Sequence, residues 1–370
     1  MSKGPINSTV AVIGAGNMGS GIAQKYATHG YQVVLVDQNN QRLRQSQNSI
    51  VELLKQGVFK GVFLETDAKG IMDRIHLTEN LGDCQKATLI VEAIFEDLPL
   101  KRELFLELEE LCPKEALIAS NTSSFKIKDL QSGLKFPERV LGLHYFYHPA
   151  KNRLVEIIGS DLTAPSALGQ AKKIQESLNK IIIQAKDSPG FVVNRFFVPW
   201  LNEAMRIVED GSANVATVDF VAKDFFRIAM GPFQLMNLTG LPITFHSCHS
   251  LKKAFGDFYE PCPAISRLIE QGDMWKLTGP IDQNLYQPIA MRLLAVVCAI
   301  SCQMVYEERI CTIADVDLGA RIGLLWQKGP FELLNANLNL LSCEIKKNIK
   351  IPHSIMPTIF KTHLASQEPL

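Results

Sequence analysis

The chain has 370 residues, 46% of them hydrophobic and 21% charged, which is room for two or three domains with a sizeable core. Lys plus Arg equal Asp plus Glu at 38 each, and no basic stripe follows a phosphate backbone, which argues against nucleic acid as a partner. The opening MSKGPINSTV lacks the pattern of a secretion signal, and the eight cysteines show no CxxC or paired Cys/His spacing. Both point to a cytoplasmic protein with reduced thiols and no metal.

From Val10 to about Asp187, strand and helix patterns alternate. Strands are predicted at 10–14, 31–37, 88–94, 116–120, 139–146, 153–158 and 181–185, and helices at 18–29, 41–55, 99–111 and 166–179. Such alternation argues for an α/β unit with a mostly parallel, doubly wound sheet. RVLGLHYF and RLVEII are joined by a connection too short for a helix, so they are expected to pair antiparallel as an edge extension. Residues 52–80 read as a helical arm between the second and third strands.

VAVIGAGNMGSG places Gly14, Gly16 and Gly19 directly after a strand and at the opening of a helix. Glycine there permits a tight turn and close approach of a pyrophosphate, and the helix N-terminus favours the phosphates. Asp37 ends the second strand, 23 residues after Gly14. An acid at that point binds ribose hydroxyls and repels a 2′-phosphate, which selects NAD over NADP. The expectation is a Rossmann-like domain, with Arg42 and Arg44 on a helix surface.

VEAIFED places Glu92 and Glu96 at a strand end, where ligands approach an open α/β sheet. ASNTSSF puts Asn121, Thr122, Ser123 and Ser124 at the end of the next strand, a cluster equally suited to capping a helix or shaping a turn. RLVEIIG sets Glu156 among aliphatic side chains, on the strand face it shares with Leu154 and Ile158. An unpaired buried carboxylate is costly, so Glu156 either borders water or has a partner. GLHYF supplies a candidate in His144, 12 residues earlier and expected on the neighbouring strand. A carboxylate beside an imidazole fixes its tautomer and favours the imidazolium, which suits a proton acceptor. The residues alone leave open whether the two form a functional pair, and His148 competes as the base.

At KDSPGFVVNRFF, Pro189 and Gly190 break the pattern, and the chain beyond them is helical. Phe191 to Glu209 is apolar nearly all round, with a kink expected at Pro199. Residues 208–237 and 306–335 align without gaps at an offset of 98, matching Asp219 with Asp317, Gly231-Pro232-Phe233 with Gly329-Pro330-Phe331, and Asn237 with Asn335. The same offset sets the apolar run 289–305 on the helix 191–207. That run is shorter than the roughly 20 residues of a membrane span and contains Arg292, so it reads as a buried helix. Arg292 stands where the first copy has Asn194.

Taken together, these segments resemble the L-3-hydroxyacyl-CoA dehydrogenase family, especially the dehydrogenase part of multifunctional fatty-oxidation proteins with its tandem C-terminal domains. The resemblance rests on GAGNMG, VDQ, VEAIFED with Lys101, SNTSS, GLHYF, LVEII, DSPGFVVNR and MGPFQL, over roughly residues 8–245 and then a degenerate second copy. Spacings of 21 from Ser123 to His144, 12 from His144 to Glu156 and 50 from His144 to Asn194 agree. It implies an NAD-binding domain at 1–187, a helical C-terminal domain at 188–285 and its second copy at 286–370.

The activity implied is NAD-dependent oxidation of (S)-3-hydroxyacyl-CoA to 3-oxoacyl-CoA, of the fatty-acid β-oxidation type. By the resemblance His144 takes the proton of the 3-hydroxyl, Glu156 orients His144, and Ser123 and Asn194 hold the reacting oxygen. NAD would meet Gly14, Gly16, Asn17, Met18 and Gly19, with Asp37 and Gln38 at the adenosine end. Glu96, Lys101, Asn121 and Ser123 would lie towards the ribose and nicotinamide, and Lys60 and Ser123 towards the acyl-CoA substrate. Asn194 would join by domain closure. The second helical copy is expected to fill the place of a partner, making a monomeric pseudo-dimer, with a homodimer as the alternative. One departure stands beside the active histidine: the family follows it with two aromatics and Asn-Pro, whereas HYFYHP has Tyr147, His148 and Pro149. The competing readings are a dehydrogenase of a small hydroxy acid or sugar acid, and a non-catalytic nucleotide-binding relative.

Overall fold

A computed structural model describes residues 8–347 and 356–366. The chain divides into two compact units at Asp187. The first is built on an eight-stranded sheet of order β3-β2-β1-β4-β5-β6-β7-β8. Its strands are β1 (Thr9–Ile13), β2 (Gln32–Val36), β3 (Ile75–Thr78), β4 (Leu89–Glu92), β5 (Leu117–Ser120), β6 (Val140–Tyr145), β7 (Leu154–Gly159) and β8 (Ile181–Lys186). The helices between them are α1 (Asn17–Thr28), α2 (Asn40–Phe59), α3 (Glu65–Asp73), α4 (Leu98–Leu111), α5 (Ile127–Leu130) and α6 (Pro165–Ser177).

β4 and β5 are buried at every position, as expected where helices cover both faces of a parallel sheet. β6 and β7 do pair antiparallel, with His144 opposite Glu156. They are not the edge, however: β8 continues the sheet in parallel with β7. The region 52–80 also differs from a purely helical arm. α2 and α3 are followed by β3, which pairs in parallel with β2. IHLT is four residues long and largely unburied, so it carries little apolar alternation to betray a strand.

The second unit is helical: α7 (Val193–Glu209), α8 (Val215–Phe226), α9 (Pro232–Thr239), α10 (Leu241–Phe255), α11 (Pro263–Gln271), α12 (Tyr286–Cys302), α13 (Ile313–Leu318), α14 (Pro330–Lys347) and α15 (Thr358–Ser366). Pro199 lies inside α7. The segment Gln283–Glu307, which contains α12, is long and apolar enough to cross a membrane, but 78% of its apolar window is inside the protein, so it serves as a core helix.

The internal repeat has a physical basis. The Asp219 carboxylate accepts from the backbone N–H of Phe233 (2.9 Å) and Gln234 (3.1 Å), capping α9, and Asp317 accepts from Phe331 (2.8 Å) to cap α14. A Cβ on Gly231 or Gly329 would overlap the aspartate it faces, which is why Asp and Gly-Pro-Phe occur together twice. α14 is the fused counterpart of α9 and α10, and its break at Asn337 falls one repeat after Thr239. Arg292 of α12 donates to Glu203 (2.6 Å) and Asp210 (2.7 Å), tying α12 to α7.

Candidate active site

The carboxyl ends of β1, β2, β4, β5 and β6 carry the polar residues singled out in the sequence. Gly14 has φ +104°, and a Cβ there would lie 2.5 Å from the Ala93 carbonyl oxygen. A Cβ on Gly19 would overlap the Gly14 carbonyl, whereas Gly16 faces open space. The turn is therefore closed on the protein side and open where a ligand backbone approaches. α1 begins without a side-chain cap and without an acid in its first turn, so its amides and dipole are available to an anion. The Asp37 carboxylate accepts from Ala15 N–H (2.9 Å) and Asn39 N–H (2.9 Å), with Gln38 exposed beside it. This arrangement fits a dinucleotide, the helix taking its pyrophosphate and Asp37 its ribose hydroxyls.

Next along the sheet is a buried ionic cluster. Glu92, fully buried, accepts from Lys101 Nζ (2.5 Å), Ser120 Oγ (2.5 Å) and Ile94 N–H (2.8 Å). Lys101, 1% exposed, also reaches Glu96 at 3.1 Å. Glu96 accepts from the Thr122 hydroxyl and from the amides of Ser123 (3.3 Å) and Ser124 (3.2 Å). The turn that presents Ser123 is thus shaped from below by two carboxylates sharing one lysine. Asn121 accepts from Tyr145 N–H through its side chain (2.9 Å), joining this turn to the end of β6.

There, His144 Nδ1 stands 2.6 Å from Glu156 Oε2. Glu156 is fully buried and His144 nearly so, at 6%. The register of β6 against β7 sets the two opposite one another, and the Phe146 ring packs 4.7 Å from the imidazole. A buried carboxylate here holds the imidazole in one orientation and offsets the charge it gains on protonation. The peptide between Tyr147 and His148 is cis, and Tyr147 is 70% exposed. His148 packs instead on Gly21 of α1, and burial, then Lys151 and Lys180, lower its pKa.

Residues 9–188 match the family model of the 3-hydroxyacyl-CoA dehydrogenase NAD binding domain, and residues 190–280 that of its C-terminal domain. The chain belongs to the 3-hydroxyacyl-CoA dehydrogenase family. As a member it is an NAD-dependent dehydrogenase. The 3-hydroxybutyryl-CoA dehydrogenase of Clostridioides difficile is 33% identical over 278 residues, 74% of this chain and 99% of that protein. The crystal structure of M. tuberculosis FadB2 is 33% identical, with a TM-score of 0.71 over 74% of this chain and 96% of its own. A 3-hydroxybutyryl-CoA dehydrogenase of Escherichia coli K12, at 21% identity, shares the fold over 98% of this chain and 99% of its own, with a TM-score of 0.85.

The structure brings Gly14, Gly16, Asn17, Met18, Gly19, Asp37, Gln38, Glu96, Asn121, Ser123, His144 and Glu156 to the side of the sheet where the parallel strands β1, β2, β4, β5 and β6 end. Lys101 lies on that side with its amine turned inward, behind Glu96. Lys60 is exposed just past the end of α2, and Asn194 lies on the first turn of α7 in the helical unit. Sequence reasoning noted Glu92 without giving it a role. The signal was present: an acid ending the buried run LIVE needs a partner as much as Glu156 does. Among the described residues, no group of three or more His, Cys, Asp or Glu is placed to hold a metal ion.

Proposed function

We propose that the protein oxidises (S)-3-hydroxyacyl-CoA to 3-oxoacyl-CoA, with His144 as the general base. The observation that carries this reading is the 2.6 Å contact between His144 and the fully buried Glu156, on the strand-end side of the sheet that also holds the Gly-rich turn. When bound, NAD supplies the acceptor for the hydride leaving C3. His144 takes the hydroxyl proton on Nε2 while Nδ1–H donates to Glu156, and the carboxylate stabilises the imidazolium that forms. Ser123 donates a hydrogen bond to the reacting oxygen, and Asn194 is assigned the same role from the helical unit. Asp37 and Gln38 hold the adenosine end and Gly14 to Gly19 the pyrophosphate; Glu96, with Lys101 behind it, and Asn121 hold the ribose nearer the nicotinamide. Lys60 is assigned to the CoA phosphates.

The eight free cysteines support a reducing, cytoplasmic setting. We read residues 188–285 and 286–370 as two copies of one helical domain. The packing of α12 on α7 supports a monomer in which the second copy stands in for a partner. An obligate dimer joined through residues 191–245 in solution would overturn that arrangement.

The activity is tested by loss of NADH absorbance with acetoacetyl-CoA, run beside sugar acids, for the wild type and His144→Ala. The expected result is turnover with the CoA ester, absent in the variant although NADH still binds. Turnover only with sugar acids would identify a different dehydrogenase. Tight NADH binding without any turnover would identify a non-catalytic relative, the reading that Tyr147 beside the site favours.

A further inference from the structure

Lys180 immediately precedes β8 and is 6% exposed. Its Nζ donates to the carbonyls of Pro149 (2.8 Å) and Asn152 (2.7 Å) and lies 5.1 Å from the centre of the Tyr145 ring. No carboxylate within salt-bridge distance of this amine is found among the described residues, and Lys25 is a further cation nearby. A lysine placed this way loses solvation without gaining an ion partner, which is unfavourable unless its hydrogen bonds are needed.

What the amine holds lies next to the base. Tyr145 directly follows His144, and its phenol closes a buried ring of hydrogen bonds with Tyr26 of α1 (2.9 Å) and Gln175 of α6 (3.0 Å). Pro149 lies on the far side of the loop that leaves β6. A Cβ on Gly21 of α1 would stand 2.8 Å from Pro149 Cδ and 3.0 Å from His148 Cε1, so the loop is pressed directly on the helix backbone. Within the loop the Lys151 and Asn152 amides donate to the His148 carbonyl (2.8 Å each), Ala150 N–H to His148 Nδ1 (3.3 Å) and the Asn152 side chain to the Tyr147 carbonyl (3.3 Å); Lys180 adds the donor that reaches two of its carbonyls from outside the loop. α1 is also the helix whose N-terminus faces the open side of the Gly-rich turn.

We propose that Lys180 is a positioning residue for His144. Its amine pins the loop 147–152 against α1, so that the imidazole keeps a fixed place relative to the helix that takes the dinucleotide. This rests on the proposed role of His144. Misplacing a proton acceptor by about 1 Å is enough to cost up to roughly a hundredfold in rate, whereas the Gly-rich turn and Asp37 are untouched by the loop.

The test compares wild type, Lys180→Met, Lys180→Gln and Lys180→Arg by amide hydrogen exchange without cofactor, by NADH affinity and by turnover of acetoacetyl-CoA. The expected result for K180M is faster exchange at the Lys151 and Asn152 amides and a kcat lowered about tenfold to a hundredfold, with NADH affinity within about threefold. K180R or K180Q, which keep donors, should recover part of both losses. Lys180→Ala, which also lacks a donor, takes the place of K180M if the latter does not fold. Loop exchange and kcat within about twofold of wild type in a folded variant that lacks the donor would overturn the proposal, as would loss of kcat with no recovery by either donor-bearing variant. If the wild type itself does not reduce acetoacetyl-CoA, the role of His144 fails first and that of Lys180 with it.

Discussion

Glu156 and His144 face each other across β6 and β7, the one antiparallel pairing among the described strands, with 2.6 Å between carboxylate oxygen and Nδ1. In an antiparallel ladder, directly opposed residues hold their side chains on the same face. The facing of these two residues therefore follows from strand register, while the place of the imidazole relative to α1 is left to the loop after Tyr145. Replacing Glu156 with Gln keeps the shape and a hydrogen bond but removes the charge that offsets an imidazolium. The expected outcome in steady-state kinetics is a kcat lower by about 10² to 10⁴, with little change in KM. An unchanged kcat would remove Glu156 from proton transfer.

Asp37 accepts two backbone N–H groups, from Ala15 and Asn39, and so links the Gly-rich turn to the end of β2. Asp37→Ala should weaken NADH binding by about tenfold or more and reduce the preference for NADH over NADPH. Fluorescence titration with both cofactors measures the ratio, and retained discrimination would place the selectivity elsewhere.

Glu92 and Lys101 form a pair 0% and 1% exposed. Lys101→Met leaves the Glu92 carboxylate buried with its hydroxyl and amide donors but no counter-charge. Urea unfolding of the first unit's signal should show a loss of about 3–5 kcal/mol, and replacing Glu92 by Gln as well should recover part of it.

Asp219 caps α9 and touches the Cα hydrogen side of Gly231. Asp219→Ala should cost about 1–2 kcal/mol in the helical unit. Gly231→Ala should cost at least as much, because the added methyl meets the aspartate rather than open space. A thermal shift for both variants checks this; a neutral Gly231→Ala would show that the capping aspartate moves freely.

Burial, and then the charge of Lys25, push the Lys180 amine down to about 7, whereas in the unfolded chain it keeps a value near 10.5. Between these values the unfolded chain binds the proton and the folded one does not, so the Lys180 contribution to stability rises with pH. Below about pH 7 both states are protonated and the cost of the buried charge is fully felt. Wild type should therefore gain stability relative to K180M from pH 7 to pH 9 in urea titrations. Lys25, itself lowered to about 8 by burial and Arg153, is present in both proteins and largely cancels. A pH-independent difference would mean that Lys180 has an ordinary lysine pKa.

Much of this molecule was legible as a string of residues because the signals were local. Apolar runs with helices between them declared the strands, three glycines after a strand declared the turn, and the offset of 98 declared a duplicated helical segment. Even the partner of Glu156 could be named, since one strand and a short connection bring His144 beside it. β3 escaped because four half-exposed residues hold no periodicity.

What the string did not contain is which charged groups are buried. Lys101 stood out only through the resemblance, as a cofactor-side residue, and Lys180 not at all, yet Lys101 neutralises a carboxylate at a strand end and Lys180 gathers two carbonyls beneath the loop after His144. Burial is decided by which helices cover which strands, and by atoms that lie 9 to 31 residues apart along the chain. Only packing sets those neighbours. Local composition determined the elements and brought out the candidate site residues, and the tertiary structure decided how firmly each group is held.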